Sequence, residues 1–197
     1  MHDEGYIKFN PEWEMAPPMP EAALQELLAW RARLYELGLI GAYDNGIGFG
    51  NISHRWGSGE QFVISGSATG LIPRLGPEHF TLVSRVDIDA NRLWCQGPVI
   101  ASSESMSHAV IYRECPEVRG VIHVHSLPLW EKLLHQVPTT DQRATYGSPE
   151  MALSIIHLLQ TTPLREQGIF VMEGHREGIF TFGSTLDEAG AVLLGYL

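Results

Sequence analysis

Apolar residues recur at helical spacing near the start of the chain, from residue 21 onward. The leucines that fall near one face are Leu24, Leu27, Leu28, Leu34 and Leu37. This spacing predicts one amphipathic helix over residues 21–40, with Gly38 marking its end. Residues 1–20 are rich in proline and aromatic residues, so we predict an N-terminal arm without regular structure. Residues 21–197 are then expected to form a single domain.

Helices and strands are mixed in the rest of the chain, without strict alternation of the two. The glycine-rich residues 41–61 predict a loop. Alternating or continuous apolar stretches predict strands at 61–65, 77–89, 91–97 and 120–125, and two strands around a tight turn within 168–182. Helices are predicted at 103–115, 127–136, 149–160 and 184–197, the last opening with a capping box of Thr185 and Glu188.

Composition and charge narrow the class of function. The formal net charge of −10 and the lack of a basic cluster argue against a nucleic-acid partner. Two cysteines, Cys95 and Cys115, are too few for a disulfide framework and favour a reducing compartment. The start of the chain does not resemble a secretion signal, and no apolar run approaches the roughly 18 residues of a membrane span. We therefore expect a cytoplasmic protein with no nucleic-acid or membrane partner.

Two histidines lie one residue apart in the predicted strand GVIHVH. Because side chains alternate along a strand, His123 and His125 project from the same side and could share one metal ion. Taken alone, the pair is more often a structural feature of a strand end, so a third ligand is needed. His175 is the candidate, since it lies in a predicted hairpin turn, where the alternative is an exposed turn histidine.

Glu104 is the acidic candidate, at the predicted start of a helix in ASSESMSHAV. A carboxylate near a metal ion could act as a fourth ligand and general base. The simpler interpretation is an interaction with the helix dipole, with Ser102 or Ser103 as the N-cap. Amides and hydroxyls at the same helix start would also suit a phosphate.

Several motifs, taken in order from about residue 21 to the C-terminus, resemble the class II aldolase/adducin family. They are GNIS at 50–53, ATG at 68–70, SSE at 102–104, HVH at 123–125, YGSPE at 146–150 and GHREGIFTFGSTLDEA at 174–189. Each motif is weak alone, but their order and spacing together form a fairly specific signal. The family includes sugar-phosphate aldolases, an epimerase, a dehydratase and the adducin head domains.

The resemblance implies an α/β fold, a three-layer α/β/α domain with a central, largely antiparallel mixed sheet. It also implies a homotetramer with active sites at subunit interfaces. By the same resemblance, His123, His125 and His175 would bind a divalent metal ion, most often zinc, with Glu104 beside it as the catalytic acid or base. The residues that match the family's substrate-phosphate positions are Asn51, Thr69, Gly70, Ser102 and Ser103.

The implied chemistry is that of a metal-dependent lyase. The ion would chelate a hydroxy-carbonyl or sugar-phosphate substrate and stabilise the enediolate that forms when a carbon–carbon bond is cleaved. The chain departs from the family in one relevant place. No tyrosine lies between His125 and Tyr146, where the aldolases carry a general-acid tyrosine donated by a neighbouring subunit. The loop ISGSATG also lacks the proline common in the family, so the substrate stays open.

Other functions remain open at this point. An epimerase or dehydratase of the same family would use the same ion and a related anion. A non-catalytic, adducin-like assembly module would keep the fold, although adducin heads lack the metal histidines. A cupin is a third interpretation, because HVHSLPLWE offers the pair of histidines followed by Glu131.

Overall fold

The computed structural model describes residues 6–197. Its centre is an eight-stranded sheet, whose side chains project alternately to the two faces. The strands of this sheet are β1 (Asn10–Met15), β4 (Asn51–Arg55), β5 (Phe62–Ser65), β6 (Phe80–Asp87), β7 (Arg92–Gly97), β8 (Gly120–His125), β9 (Ile169–Val171) and β10 (Gly178–Gly183). Their order is β1-β7-β6-β5-β4-β8-β10-β9, with only the β1–β7 pair parallel. Two short strands, β2 (Gly41–Ala42) and β3 (Gly48–Phe49), form a separate hairpin.

Helices pack on both faces of the sheet and give a three-layer α/β/α architecture. They are α1 (Gln25–Glu36), α2 (Ser105–Glu114), α3 (Leu127–Leu133), α4 (Pro149–Thr161), α5 (Leu164–Gln167) and α6 (Leu186–Leu194). One apolar core joins α2 and α4 to one face of the sheet, and a second joins α1, α3 and α6 to the other. The expected fold class, with its largely antiparallel mixed sheet, is confirmed. The cupin interpretation is not confirmed, because Glu131 lies on helix α3 rather than on a strand of a barrel.

The alternation along β8 decides where the chemistry lies. Ile122 and Val124 pack into the core under α1, α3 and α6, whereas Val121 packs toward α2 and α4. His123 and His125 share the face of Val121 because side chains two residues apart project to the same side. The neighbouring strand β4 turns its polar residues, beginning with Asn51, to this same face.

The N-terminal arm differs from its prediction. Asn10–Met15 form β1, an edge strand beside β7, where a chain without regular structure was expected. Pro11 is tolerated there because an edge strand has one side without sheet partners. Residues 1–5 lie outside the described residues, and the division of the chain at residue 20 stays a prediction.

Three other element boundaries also differ from their predictions. The loop predicted over residues 41–61 contains β4, a buried strand in the middle of the sheet. The first helix begins at Gln25 rather than at residue 21, after a short 3₁₀ helix at Glu21–Ala23, whereas Gly38, with a φ of 70°, marks its end as predicted. In the last helix Thr185 accepts a hydrogen bond from the Glu188 amide, but the Glu188 carboxylate accepts from Ser184, so the capping box is only half formed.

The helices were compared with the length and apolar character that a membrane span requires. Within residues 6–197, none is both long enough and apolar enough to cross a membrane.

Candidate metal centre

Three imidazoles converge at the carboxyl end of β8. The Nε2 atom of His125 lies 3.2 Å from Nε2 of His123 and 2.8 Å from Nε2 of His175. Each histidine offers one nitrogen to a cluster in which all ligand atoms lie within 4.8 Å of one another. All three side chains are buried. The structure therefore brings together the three histidines that the sequence nominated, including the one from the turn.

Two glycines make room for His175 in the connection between β9 and β10. A Cβ atom on Gly178 would lie 2.5 Å from Cδ2 of the His175 ring. A Cβ on Gly174 would lie 2.0 Å from the carbonyl oxygen of Ala144. Since real Cβ atoms do not approach other atoms so closely, the motif GHREG needs both glycines to place its histidine against β8.

The proton arrangement at His123 suits a cation. Its Nδ1 atom lies 3.1 Å from the carbonyl oxygen of Ile179, which can only accept, so Nδ1 carries the proton. Complete burial lowers the pKa of His123 to about 3, which keeps the ring neutral. Its Nε2 lone pair then faces Nε2 of His125. A divalent ion between such nitrogens fits this donor set, because neutral imidazole nitrogens are common ligands of zinc.

Glu104 lies at the start of α2, immediately before its first helical residue, Ser105. Only 2% of the side chain is exposed, and one carboxylate oxygen accepts a hydrogen bond of 3.0 Å from the Ser107 hydroxyl. The side chain makes no capping hydrogen bond, and the residue before the helix is Glu104 itself rather than Ser102 or Ser103. The simple capping interpretation is therefore wrong for the serines.

The histidines and Glu104 line one cavity of about 310 Å³. All nine residues that the sequence nominated for catalysis, metal binding or phosphate binding border it. They are Asn51, Thr69, Gly70, Ser102, Ser103, Glu104, His123, His125 and His175. Its described lining contains no lysine or arginine. Tyr146 and Tyr6 also border it, and the Tyr146 ring lies 4.8 Å from that of His175.

A buried chain of hydrogen bonds through His108 orients Asn51. Nε2 of His108 lies 2.6 Å from Oδ1 of Asn51, and Nδ1 of His108 lies 2.6 Å from the Ser53 hydroxyl. Burial lowers the pKa of His108 well below its usual value, so the ring is neutral and has one proton. Because Oδ1 only accepts, that proton is on Nε2, and Ser53 donates to Nδ1. The Tyr112 hydroxyl, 2.8 Å away, donates in turn to Ser53.

This chain of hydrogen bonds gives the Asn51 side chain a fixed direction. With Oδ1 occupied by His108, the amide NH₂ group is the part of Asn51 that can meet a group in the cavity. Asn51 was predicted as a site residue from its motif, without this partner. His108 lies one helical turn after Glu104, a spacing that hints at a shared helix face but not at Asn51.

Arg31 holds the loop that borders the cavity through Thr69 and Gly70. Its guanidinium, 2% exposed on α1, donates to the carbonyl oxygens of Thr69, Ile72 and Pro73 at 2.8–3.1 Å. Burial lowers the pKa of this guanidinium, yet arginine stays protonated in proteins. The loop that carries Thr69 and Gly70 is thus positioned by a buried cation from a distant helix.

We expect Arg31→Leu to reduce the free energy of unfolding by about 2–4 kcal/mol, because three carbonyl groups lose a charged donor at roughly 1 kcal/mol or more each. Urea denaturation measures the change. Arg33→Leu, an exposed change on the same helix, is the matched control and should stay within about 0.5 kcal/mol of the unchanged protein. Equal effects of the two substitutions would contradict this role of Arg31.

Comparisons with known proteins agree with this fold. The sequence profile of the class II aldolase and adducin N-terminal domain matches residues 25–194. Among solved structures, an L-fuculose 1-phosphate aldolase is similar, with a TM-score of 0.68 and 18% identity over 90% of this chain and 82% of the other. YgbL from Klebsiella pneumoniae, described as an aldolase, epimerase or decarboxylase, has a TM-score of 0.65 and 18% identity, over 90% and 86%.

A sugar-phosphate aldolase from Thermotoga maritima is similar as well, with a TM-score of 0.65 and 17% identity over 89% of this chain and 90% of the other. At such identities these likenesses establish the fold. No curated protein sequence matches the chain.

Proposed function

Because the chain belongs to the class II aldolase and adducin family, we propose that it is a metal-dependent lyase. It would cleave or form a carbon–carbon bond in a small hydroxy-carbonyl or sugar-phosphate compound. The observation that supports this best is the convergence of three imidazole side chains with Glu104 in one cavity. An adducin-like assembly module has no use for such a cluster.

In this proposal, His123, His125 and His175 hold a divalent ion, which we expect to be zinc because three nitrogen ligands with an open position are typical of catalytic zinc sites. When bound, such an ion supplies a Lewis acid for the carbonyl and hydroxyl oxygens of the substrate. The protein contributes rigid ligands. His123 and His125 come from one strand, and His175 lies in a turn whose glycines, Gly174 and Gly178, allow close packing. The side chains therefore need little rearrangement when an ion binds.

Glu104 is proposed to move the proton at the reacting carbon or its hydroxyl group. Its carboxylate is buried, borders the same cavity as the three histidines, and is held from one side by Ser107. A general base must lie within hydrogen-bonding reach of the proton it takes, and a substrate in this cavity would meet that condition. Burial also keeps competing water away from the carboxylate.

Five other residues of the cavity lining are proposed to bind the anionic or hydroxylated end of the substrate. Asn51, Thr69, Gly70, Ser102 and Ser103 border it. The donors available there are an oriented amide, hydroxyls and backbone N–H groups. Such groups can bind a phosphate without lysine or arginine.

We expect Asn51→Asp to weaken the binding of inorganic phosphate by at least about tenfold, a loss of about 1.4 kcal/mol. The carboxylate would keep the hydrogen bond from His108 but replace an N–H donor by a negative oxygen. Inhibition by phosphate, or isothermal titration, measures the change. Asn10→Asp, the same substitution on exposed β1, is the control. Unchanged phosphate affinity in Asn51→Asp would contradict the proposed anion site.

The experiment that tests the function is a substrate screen with the protein stripped of metal and then reloaded. Ketose phosphates and unphosphorylated hydroxy-carbonyls are offered, and aldehyde release is followed with a coupled dehydrogenase. Lyase activity should disappear on stripping and return with zinc. Full activity of the stripped protein would overturn the proposal. Isomerised or dehydrated product without aldehyde, detected by NMR, would replace the lyase with the epimerase or dehydratase.

We further propose a homotetrameric assembly in the cytoplasm, as the family resemblance suggests. Light scattering of the purified protein measures the assembly directly.

A further inference from the structure

The imidazole of His125 is held by groups from two other parts of the chain. The hydroxyl of Tyr43, which follows β2, lies 2.8 Å from Nδ1 of His125. The same hydroxyl donates a hydrogen bond of 2.9 Å to a carboxylate oxygen of Glu177. Phe49 of β3 stacks on the imidazole, with 5.4 Å between ring centroids and 23° between the planes. His125 is therefore fixed both in position and in rotation about its side chain.

The proton positions follow from what each group can donate. A carboxylate only accepts, so the one proton of the Tyr43 hydroxyl is directed to Glu177. The contact between Tyr43 and His125 then requires the proton to be on Nδ1 of His125. In a neutral ring this leaves the lone pair on Nε2, the atom that faces the other two histidines. The Glu177–Tyr43 pair thus selects the ligating tautomer.

Glu177 is placed for this contact by its backbone. Its φ of 75° lies in the left-handed region, and its carbonyl oxygen accepts from the Ser126 amide, just after β8. The next residue, Gly178, pairs directly with His125 across β8 and β10. A non-glycine residue in this conformation is sterically unfavourable, so the turn is held there by its surroundings.

We infer that Tyr43 and Glu177 are positioning residues that set the metal affinity of the three-histidine site through His125. This rests on the proposed function, since it presumes that the site binds a divalent ion. Partners that hold the second nitrogen of a ligating histidine raise its basicity and fix its orientation, and their loss usually weakens metal binding 10- to 100-fold. The same turn supplies both His175 and Glu177, so the third ligand and the carboxylate are placed together.

The test measures zinc affinity by competition with a chromophoric chelator in the full-length protein. Tyr43→Phe keeps the ring beside Phe49 and removes only the hydroxyl, so we expect zinc to bind about 10- to 100-fold more weakly. Glu177→Gln keeps the shape of the side chain but removes its charge, and should weaken binding in the same direction. Tyr35→Phe, a hydroxyl removed from α1, is the matched control and should bind zinc like the unchanged protein.

A second readout separates positioning from general damage. In the metal-free protein labelled with ¹⁵N-histidine, His125 should be protonated on Nδ1, and Tyr43→Phe should shift it toward a mixture of tautomers. His123, held by the Ile179 carbonyl, should keep its tautomer in both proteins. Loss of the His123 signal together with that of His125 would indicate unfolding and is checked by circular dichroism.

The outcomes distinguish this inference from the proposed function. Zinc binding by the unchanged protein with equal affinity in Tyr43→Phe would overturn the role of Tyr43 and leave the metal site intact. Absence of zinc binding in the unchanged protein would overturn the metal site itself. Weaker binding in Tyr43→Phe, with an altered His125 tautomer and an unchanged Tyr35→Phe control, would support the inference.

Discussion

Replacing Glu104 by glutamine is expected to lower kcat about 10²- to 10⁴-fold on the substrate that the screen identifies. Glutamine keeps the size of the side chain and can still accept from Ser107, but its amide cannot take up a proton. Because the three imidazoles are untouched, zinc content should stay near that of the unchanged protein. Steady-state kinetics together with metal analysis of the same samples measures both quantities.

The comparison for this variant is Glu114→Gln, at the other end of the same helix, where the side chain pairs with Arg113 at the surface. That change should leave kcat within about twofold, since exposed ion pairs contribute little. Turnover by Glu104→Gln at the rate of Glu114→Gln would show that another group moves the proton. Tyr146, which borders the same cavity, would then be the next candidate.

Local patterns in the sequence were sufficient for the elements whose faces differ in polarity. Strand β8 and helices α2 and α4 lie where apolar spacing placed them, because each buries apolar residues in a core. The pair His123 and His125 was recognisable for the same reason, since the alternation of a strand puts both on one side. These features depend on neighbours along the chain rather than on distant contacts.

Strand β4 could not be predicted in this way. On one face it carries the polar residues Asn51, Ser53 and Arg55, a composition that resembles a surface loop, particularly after several glycines. They are buried because distant groups satisfy them. Arg55, for example, donates to the carbonyl oxygens of residues 112, 115 and 118. Tertiary contacts therefore outweighed local propensity, as is common for strands.

Strand β1 was missed for a different reason. It pairs in parallel with β7, so its partners lie about eighty residues further along, as in the register of Asn10 with Arg92. A parallel pair needs a long connection, and no local signal identifies the partner. The prolines near this segment pointed to an arm, although an edge position accommodates one of them.

The candidate site likewise contains residues that could be predicted from local sequence and residues that could not. The nine candidate site residues were nominated by motifs, and the structure gathers all of them around one cavity. Their supporting partners were not, because each comes from a distant element. Tyr43 is 82 residues from His125, and Arg31 is 38 residues from Thr69. Motifs identify groups that touch a ligand, whereas groups that orient them are found only through contacts.

Removing the third ligand should have the largest effect on metal binding. The free energy of zinc binding at structural sites, about 10–16 kcal/mol, corresponds to roughly 3–4 kcal/mol for each ligand. We therefore expect His175→Ala to raise the dissociation constant for zinc about 10²- to 10³-fold. Two imidazoles on one strand would remain. Competition with a chelator of known affinity measures the change, at a pH where the imidazoles are neutral.

Thermal unfolding gives an independent measure of the same loss. Zinc at about 1,000 times its dissociation constant stabilises a folded protein by about 4 kcal/mol, so it should raise the melting temperature of the unchanged protein. This increase should fall to about a third or less in His175→Ala and persist in His157→Ala, an exposed histidine on α4. An equal increase in both variants would mean that zinc binds elsewhere. The cluster of His123, His125 and His175 would then need another explanation for its buried, converging nitrogens.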